Sequence, residues 1–518
     1  MIVKMKIKIY LFFISILQVF WLQSQCLNTV SSSGNQGGYF DSNSGISDYW
    51  WTPSINSSFT IDTSDPYYGS SSLKVAVHPE DNYSGNIVRM WSKQGSCSLT
   101  VSNNQSWNIS LYIKGEIGDQ LQFVLIDADN SNADIGNASH TIRYRGWHYV
   151  RLNLTSTGAT SGTNGKLRIN FKSLGTYWLD NIVLEQETAF EEFYVDDVVS
   201  NGSGSSVSPF NSIENATKNN SSYDPGDIIY VKTGTYKNSN WDGINNGTND
   251  NNDAYTTITK SNFGTSWYNN KNGSINRPIV IRNYVDSNGN HDVPKIYFDG
   301  KGGFVIGSNS DPITHLEIGG FEVQGPNDEI TYSEALDNRT TAVNDKINNG
   351  TTTVQRNFYH GRGIVIWGGS YINIHNNKVW DCPNSGIRTN NSDYVRIFNN
   401  EVYDNTWWSY NAESAIVMAQ SRVRDGADSG TATTIKMRIE NNIVYNNINK
   451  LPYFNPNYTC SNDANSISYG CGGQNKIIDG SGCYITRNAY DSDDSSGSNP
   501  NYSSAGDFYG TFLFANNV

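Results

Sequence analysis

The phrase Tyr371-Ile-Asn-Ile-His-Asn-Asn-Lys-Val-Trp380 returns after 23 residues as Tyr394-Val-Arg-Ile-Phe-Asn-Asn-Glu-Val-Tyr403, and again as Lys436-Met-Arg-Ile-Glu-Asn-Asn-Ile-Val-Tyr445. A partial copy, Phe512-Leu-Phe-Ala-Asn-Asn-Val518, stands further on. Each copy alternates apolar and polar residues, the period of a strand. Each then reaches an Asn-Asn pair, and Asn tolerates the left-handed backbone of a tight corner. No copy carries a 3.6-residue apolar stripe, which argues against helical repeats. A short repeat with strand character and an Asn corner reads as one coil of a parallel β-helix.

Four neighbouring segments occupy one position in successive coils: Gly363-Ile-Val-Ile-Trp367, Gly386-Ile-Arg-Thr-Asn390, Ala415-Ile-Val-Met-Ala419 and Gly482-Cys-Tyr-Ile-Thr486. Coils stack about 4.8 Å apart, so equal positions form columns. Ile364, Ile387, Ile416 and Cys483 make an inward column; Val365, Arg388, Val417 and Tyr484 make an outward one. His360, Glu413 and Asp479 lie a few residues before their glycine or alanine. The pattern therefore expects His360, Arg388, Glu413, Asp479 and Tyr484 on one outer face, with Trp367, Trp407 and Trp408 close by. An apolar setting is expected to raise the pKa of Glu413. Arg388 suits a two-pronged contact to carboxylate or sulfate. His360 stands in Tyr359-His-Gly-Arg-Gly363, where small residues let substrate approach. Asp479-Gly is also a turn signal.

The 518 residues are enough for several domains, and 13% aromatics, with 32 Tyr, oppose disorder despite a mean hydropathy of -0.53. A net charge of -13 argues against nucleic-acid binding. It leaves an anionic substrate open, because local basic patches outweigh the total. Lys4, Lys6 and Lys8 precede the apolar run Ile9 to Trp21, which reads as a secretory signal over residues 1–25 and places the mature chain outside the cell without a membrane span. Six Cys suit an oxidising compartment. Cys460 and Cys471 flank a loop and are the expected disulfide, Cys26 and Cys97 share the first domain, and Cys382 and Cys483 read as buried thiols on coils.

Residues 27–188 read as many short strands broken by Gly, Ser, Asn and Asp, a β-sandwich signature. Gly38-Tyr-Phe-Asp-Ser42, Trp50-Trp51, Gly69-Ser-Ser-Ser-Leu-Lys-Val75, Gly146-Trp147 and Tyr177-Trp-Leu-Asp-Asn-Ile-Val-Leu184 together resemble the jelly-roll carbohydrate-binding modules of glycan-degrading enzymes. That resemblance implies a structural Ca²⁺ held by Asp180, with Asp41 as its partner. Trp50, Trp51 and Trp147 are the candidates for stacking on sugars.

In residues 189–518, Asp224-Pro-Gly-Asp-Ile-Ile-Tyr-Val-Lys-Thr-Gly-Thr-Tyr236, after a short helical cap at Ser212 to Thr217, resembles the first coils of right-handed parallel β-helix polysaccharide enzymes of the chondroitinase B, alginate lyase and pectate lyase type. The fold expected is all-β: a jelly-roll sandwich followed by a right-handed parallel β-helix. Asn238 to Gly273 reads as a long loop, and Tyr453, Phe454 and Tyr458 are expected to overhang the sugar site. The resemblance implies a polysaccharide substrate and a monomeric enzyme. In β-elimination, Arg388, helped by Arg362 or Arg487 or by a catalytic Ca²⁺, would neutralise the uronate carboxylate. His360 or Tyr484 would then serve as base or acid, and Lys436 is the candidate for the lysine base used in such lyases. In hydrolysis, Glu413 and Asp479 would be the paired carboxylates, acting on a sulfated or neutral polysaccharide. A non-catalytic extracellular glycan-binding adhesin is the alternative outside enzymology. The resemblance favours the lyase.

Overall fold

The computed structural model describes residues 40 to 518 except 41–45, 47–49, 53–54, 82–87, 94–98, 160–162, 187–189, 199, 218–221, 238–253, 259–272, 309–310, 350–356, 411–412, 422–433, 455–481 and 487–510. The signal segment, Asp41, Asp479, Arg487, Tyr458 and Cys26, Cys97, Cys460 and Cys471 all fall outside the described residues. The chain separates into two compact units, Met1–Phe190 and Glu191–Val518.

The first unit is two antiparallel sheets. One joins Trp50–Trp51, Val88–Ser92, Thr163–Phe171, Gln120–Asp127 and Ala133–Thr141 in that spatial order, with Leu99–Val101 also on Thr163–Phe171. The other joins Ser58–Asp62, Ser72–Val77, Gly175–Gln186, Ser106–Lys114 and His148–Thr155. Alternation sends Leu73 and Val75, Leu121, Phe123 and Leu125, and Leu167, Ile169 and Phe171 into one shared core. At about 25 cal/mol per Å² of apolar surface, burying that core between the sheets is the main stabilising term of the unit.

Among the described residues, the second unit is built on three parallel sheets, of eight, six and six strands. Its chain runs in circuits that leave one strand in each sheet. Arg362–Ile366, Gly369–His375 and Lys378–Trp380 make one circuit; Ile387–Asn390, Ser392–Phe398 and Glu401–Tyr403 make the next. Within each sheet, described strands one circuit apart pair in parallel, as Ile372 with Val395 and Val395 with Met437. The inward residues Ile364, Ile366, Ile372, Ile374 and Val379 meet their stacked counterparts in one continuous core.

The corners explain the repeat. Asn376, Asn399, Asn441 and Asn516 all have φ near +54°. The second Asn of each pair forms a ladder: the Asn377 amide N–H donates to Asn400 Oδ1 at 3.0 Å, that of Asn400 to Asn442 Oδ1 at 2.9 Å, and that of Asn442 to Asn517 Oδ1 at 3.0 Å. The buried corner amides are thereby satisfied. The helix Ile213–Thr217 starts at Ser212, whose Oγ accepts from the Asn215 N–H at 3.1 Å, and its Ile213 and Ala216 enter the core.

Two features depart from expectation. Ala254–Ile258, inside the stretch read as loop, is a strand paired with Gly302–Ile306. An 18-residue helix, Tyr332–Asn349, is inserted between two circuits. Its capping box is legible, with Glu334 Oε2 accepting from the Thr331 N–H at 2.9 Å, yet a strand-period search passes over it. The helix packs with Phe358, Trp408, Tyr410, Leu451 and Phe454 into a small separate core.

Candidate functional site

The strands Arg362–Ile366, Ile387–Asn390, Ile416–Ala419 and Cys483–Thr486 lie side by side, with Ile364, Ile387, Ile416 and Cys483 in one row and Val365, Arg388, Val417 and Tyr484 in the next. The first row joins the core; the second does not. Gly363, second in the first strand, and Gly386, just ahead of the next, stand where the stack leaves no room: a Cβ on Gly363 would lie 2.4 Å from Val379 Cγ1, and one on Gly386 2.5 Å from Val402 Cγ1. His360, Arg362, Ser385 and Glu413, at or just ahead of the strand starts, converge beside Arg388.

Glu413 is the centre. It is 6% exposed. Arg362 Nη2 donates to its Oε1 at 3.3 Å, Ser385 Oγ donates to its Oε2 at 2.8 Å, and Arg388 Nη1 donates to the same Oε2. Arg388 Nη2 also holds Asn390 Oδ1 at 3.2 Å, and the Arg362 guanidinium lies 5.7 Å from the Trp367 ring centre. Burial acts to raise the Glu413 pKa, but Arg388 and Arg362, with the Ser385 hydrogen bond, overcome it and hold the carboxyl down at about 2. This corrects the expectation of a raised pKa: the sequence showed apolar neighbours but not two cations closing on one carboxylate.

His360 is buried and its ring meets Tyr410 edge to face at 4.4 Å and 84°. Burial, then the Arg362 charge, lowers its pKa to about 3, so the imidazole is neutral. Burial pushes the Tyr410 phenol up, opposed by Arg339 and Arg362. Several buried polar atoms here have no hydrogen-bond partner among the described residues: His360 Nε2, Tyr410 OH, Asn384 Nδ2, Trp367 Nε1, and Nε of both Arg362 and Arg388. An unpaired buried polar group costs about 1–3 kcal/mol, so these atoms are hydrogen-bonding capacity that water or a ligand would meet. Two guanidiniums, one carboxylate and a neutral imidazole leave one net positive charge, which suits one carboxylate or sulfate group.

The remaining sequence candidates divide. Tyr484 lies across Val417 from Arg388 and is 48% exposed, at the edge of this cluster rather than in it. Trp407 is part-exposed, but the Lys450 ammonium lies 2.9 Å from its ring centre. Trp408 does not offer a face to sugar: it is buried in the small core, its Nε1 donating to the Asn327 carbonyl at 3.2 Å. Lys436 is likewise removed as a base, buried against Asp393 at 3.2 Å. Cys382 and Cys483 are free thiols, and Cys382 is fully buried. Sequence reasoning missed Ser385 and Tyr410. Ser385 precedes Gly386 as Arg362 precedes Gly363, a spacing that would have found it. Tyr410 lies outside the repeat and carries no such signal.

In the first unit, Trp50 is core at 1% exposure and Trp147 is buried as well, so neither stacks on sugar. Trp51, its neighbour on the same strand, faces outward at 53%. It stands 6.4 Å from Trp91, which pairs with Arg168 in the next strand, the guanidinium lying 5.1 Å from the Trp91 ring. Asp180 is buried, and its carboxylate accepts from the backbone N–H groups of Tyr67, Tyr68 and Asn181 at 3.1, 2.9 and 2.7 Å. Among the described residues no three His, Cys, Asp or Glu side chains gather as a metal site. Among the same residues, no helix is long and apolar enough to cross a membrane.

No protein-family model matches this sequence, and no curated protein is significantly similar to it. Solved structures do show similarity. An arabinose-bound α-L-arabinofuranosidase, MgGH51, is 15% identical with a TM-score of 0.26, over 32% of this chain and 30% of its own length. The xylan-binding domain of Paenibacillus barcinonensis Xyn10C is 15% identical with a TM-score of 0.20, over 29% of this chain and 93% of that domain. The N-terminal cellulose-binding domain of Cellulomonas fimi β-1,4-glucanase C is 14% identical with a TM-score of 0.22, over 31% of this chain and all (100%) of that domain.

Proposed function

We propose that this chain is a secreted enzyme that cleaves an anionic, uronic-acid-containing polysaccharide by β-elimination. In this reading the second unit is a right-handed parallel β-helix carrying the active site, right-handed because parallel crossovers almost always are. The first is a jelly-roll module that holds the polymer. The observation that carries the reading is the pair Arg362 and Arg388 on either side of Glu413, beside a neutral histidine.

The chemistry follows from the charges. The C5 proton of a uronate is weakly acidic because its removal loads negative charge onto the C6 carboxylate. Arg362 and Arg388 would bind that carboxylate and stabilise the enolate-like charge that develops there. His360, neutral and with Nε2 unpaired among the described residues, would take the proton. The incoming carboxylate offsets the Arg362 charge that helps keep the imidazole deprotonated. Glu413 is ionised and held by three donors, so it would orient the two guanidiniums rather than exchange protons. The same fact argues against hydrolysis with Glu413 as general acid, since that role needs a protonated carboxyl.

A panel of alginate, pectin, chondroitin and ulvan, read by ultraviolet absorbance of the new C4=C5 double bond and by reducing ends, tests the reading. Both signals should rise together. Reducing ends without absorbance would mean hydrolysis. Binding without release of either product would leave a glycan-binding adhesin.

A further inference from the structure

Elimination needs a second proton transfer. The bond from C4 to the glycosidic oxygen must break, and an unassisted sugar alkoxide is a poor leaving group. Neither guanidinium supplies that proton readily, because arginine stays protonated in proteins. Glu413 has none to give. The remaining polar hydrogen with no acceptor in this cluster, and of suitable chemistry, is on Tyr410. Its hydroxyl is buried and without a hydrogen-bond partner among the described residues, and its ring rests against His360 at 4.4 Å. Burial pushes the phenol up and keeps it protonated, while the Arg339 and Arg362 charges oppose that rise. Its backbone is fixed from the other side, where the Phe454 N–H donates to the Tyr410 carbonyl at 2.6 Å and Phe454 packs on the ring at 5.6 Å. Arg339, from the inserted helix, ties that loop down by donating to the carbonyls of Pro452 and Tyr453 at 3.0 and 3.2 Å. A tyrosine needed only for packing would be served as well by phenylalanine, without the cost of burying a hydroxyl.

We infer that Tyr410 is the second catalytic residue of this site, the acid that protonates the departing glycosidic oxygen while His360 takes the C5 proton. The inference rests on the elimination reading above. His360 Nε2 forms a bond to the C5 hydrogen as the C5–H bond breaks, and that electron pair becomes the C4=C5 double bond. The C4–O bond breaks with its pair going to oxygen, which takes the Tyr410 proton and leaves as a hydroxyl. The phenolate and imidazolium then recover neutrality by passing one proton from His360 to Tyr410 through water, so no co-reactant is consumed. Substrate meets the cluster through Arg362 and Arg388, which keep 18% and 17% of their side chains exposed.

The test compares wild type, Tyr410→Phe and His360→Gln on two substrates: the uronic polymer, and a small uronate with fluoride at C4, which leaves without protonation. Tyr410→Phe should lose about 10²–10⁴-fold in kcat on the polymer and stay near wild type on the fluoride. His360→Gln should lose activity on both. Should Tyr410→Phe fold poorly, 3-fluorotyrosine at position 410 is nearly isosteric and more acidic, and should move the alkaline limb of the kcat profile to lower pH. Equal loss of Tyr410→Phe on both substrates, or no loss on the polymer, overturns the inference while wild-type elimination stands. Absence of unsaturated product from wild type on every uronic polymer removes the elimination reading, and this inference with it.

Discussion

Replacing Glu413 with glutamine keeps its shape and removes its charge, leaving Arg362 and Arg388 to face each other without the anion between them. Breaking a buried pair by removing one partner costs about 3–5 kcal/mol. Glu413→Gln should therefore lower the thermal midpoint as well as turnover, and a chemical-denaturation curve separates the two effects. A hydrolase acid would lose turnover with little loss of stability, so an unchanged midpoint counts against the positioning role. The paired tryptophans give the complementary case. Trp50→Ala removes a fully buried indole and should cost about 3–5 kcal/mol. Trp51→Ala should change stability by less than about 0.5 kcal/mol and weaken polysaccharide binding measured by affinity electrophoresis. If Trp51→Ala binds as tightly as wild type, the exposed face beside Trp91 is not the glycan platform.

At the scale of elements, the asparagine corner makes two different demands on neighbouring residues. Asn400 sits mid-ladder: its Oδ1 accepts from the Asn377 N–H, and its Nδ2 donates to the Ile374 carbonyl at 3.0 Å and to Asn442 Oδ1 at 3.0 Å. Asn400→Ala would leave a buried N–H and a buried carbonyl unpaired, costing roughly 3 kcal/mol. Asn376 is no rung of the ladder: its Nδ2 bonds His375 Nδ1 at 2.8 Å, and it holds φ at +54°. Asn376→Ala should cost about 1–2 kcal/mol, and Asn376→Gly should recover the backbone part of that cost but not the hydrogen bond to His375. Denaturant midpoints of the three variants check the order. The repeat phrase made these corners legible, since strand alternation and the Asn pair recur at fixed spacing. The helix Tyr332–Asn349 escaped because it belongs to no repeat and its amphipathic signal is weak beside the strands around it. It nevertheless positions the site, since its small core carries Tyr410 and packs beside His360.

Over the whole molecule, acid should be felt first through the second unit. His315 and His360 both fall to about 3, chiefly through burial. A histidine depressed on folding contributes stability that is present above its unfolded value of about 6.5 and lost as pH falls toward 3. Glu413, depressed to about 2, adds stability above its ordinary range that is lost on the same descent. Asp381 runs the other way. Burial, then the Asp328 charge, raises it to about 6, so its contribution is present at low pH and lost as pH rises through 6. The net expectation is a thermal midpoint that drops between pH 6 and 4, more gently than the two histidines alone would give; a rising midpoint over that window would contradict the neutral-histidine assignment. By itself the sequence determined the β character of both units, the asparagine corners, and the columns that set Arg388 level with Val365 and Val417, because periodicity and turn chemistry are local and repeat along the chain. Only the tertiary structure decided that Arg362 and Ser385 also close on Glu413, that its pKa falls rather than rises, that Trp50 and Trp408 are core while Trp51 is surface, and that Tyr410 joins His360. These depend on which side chains meet across coils and loops distant in sequence, and on the balance of burial against charge that their meeting creates.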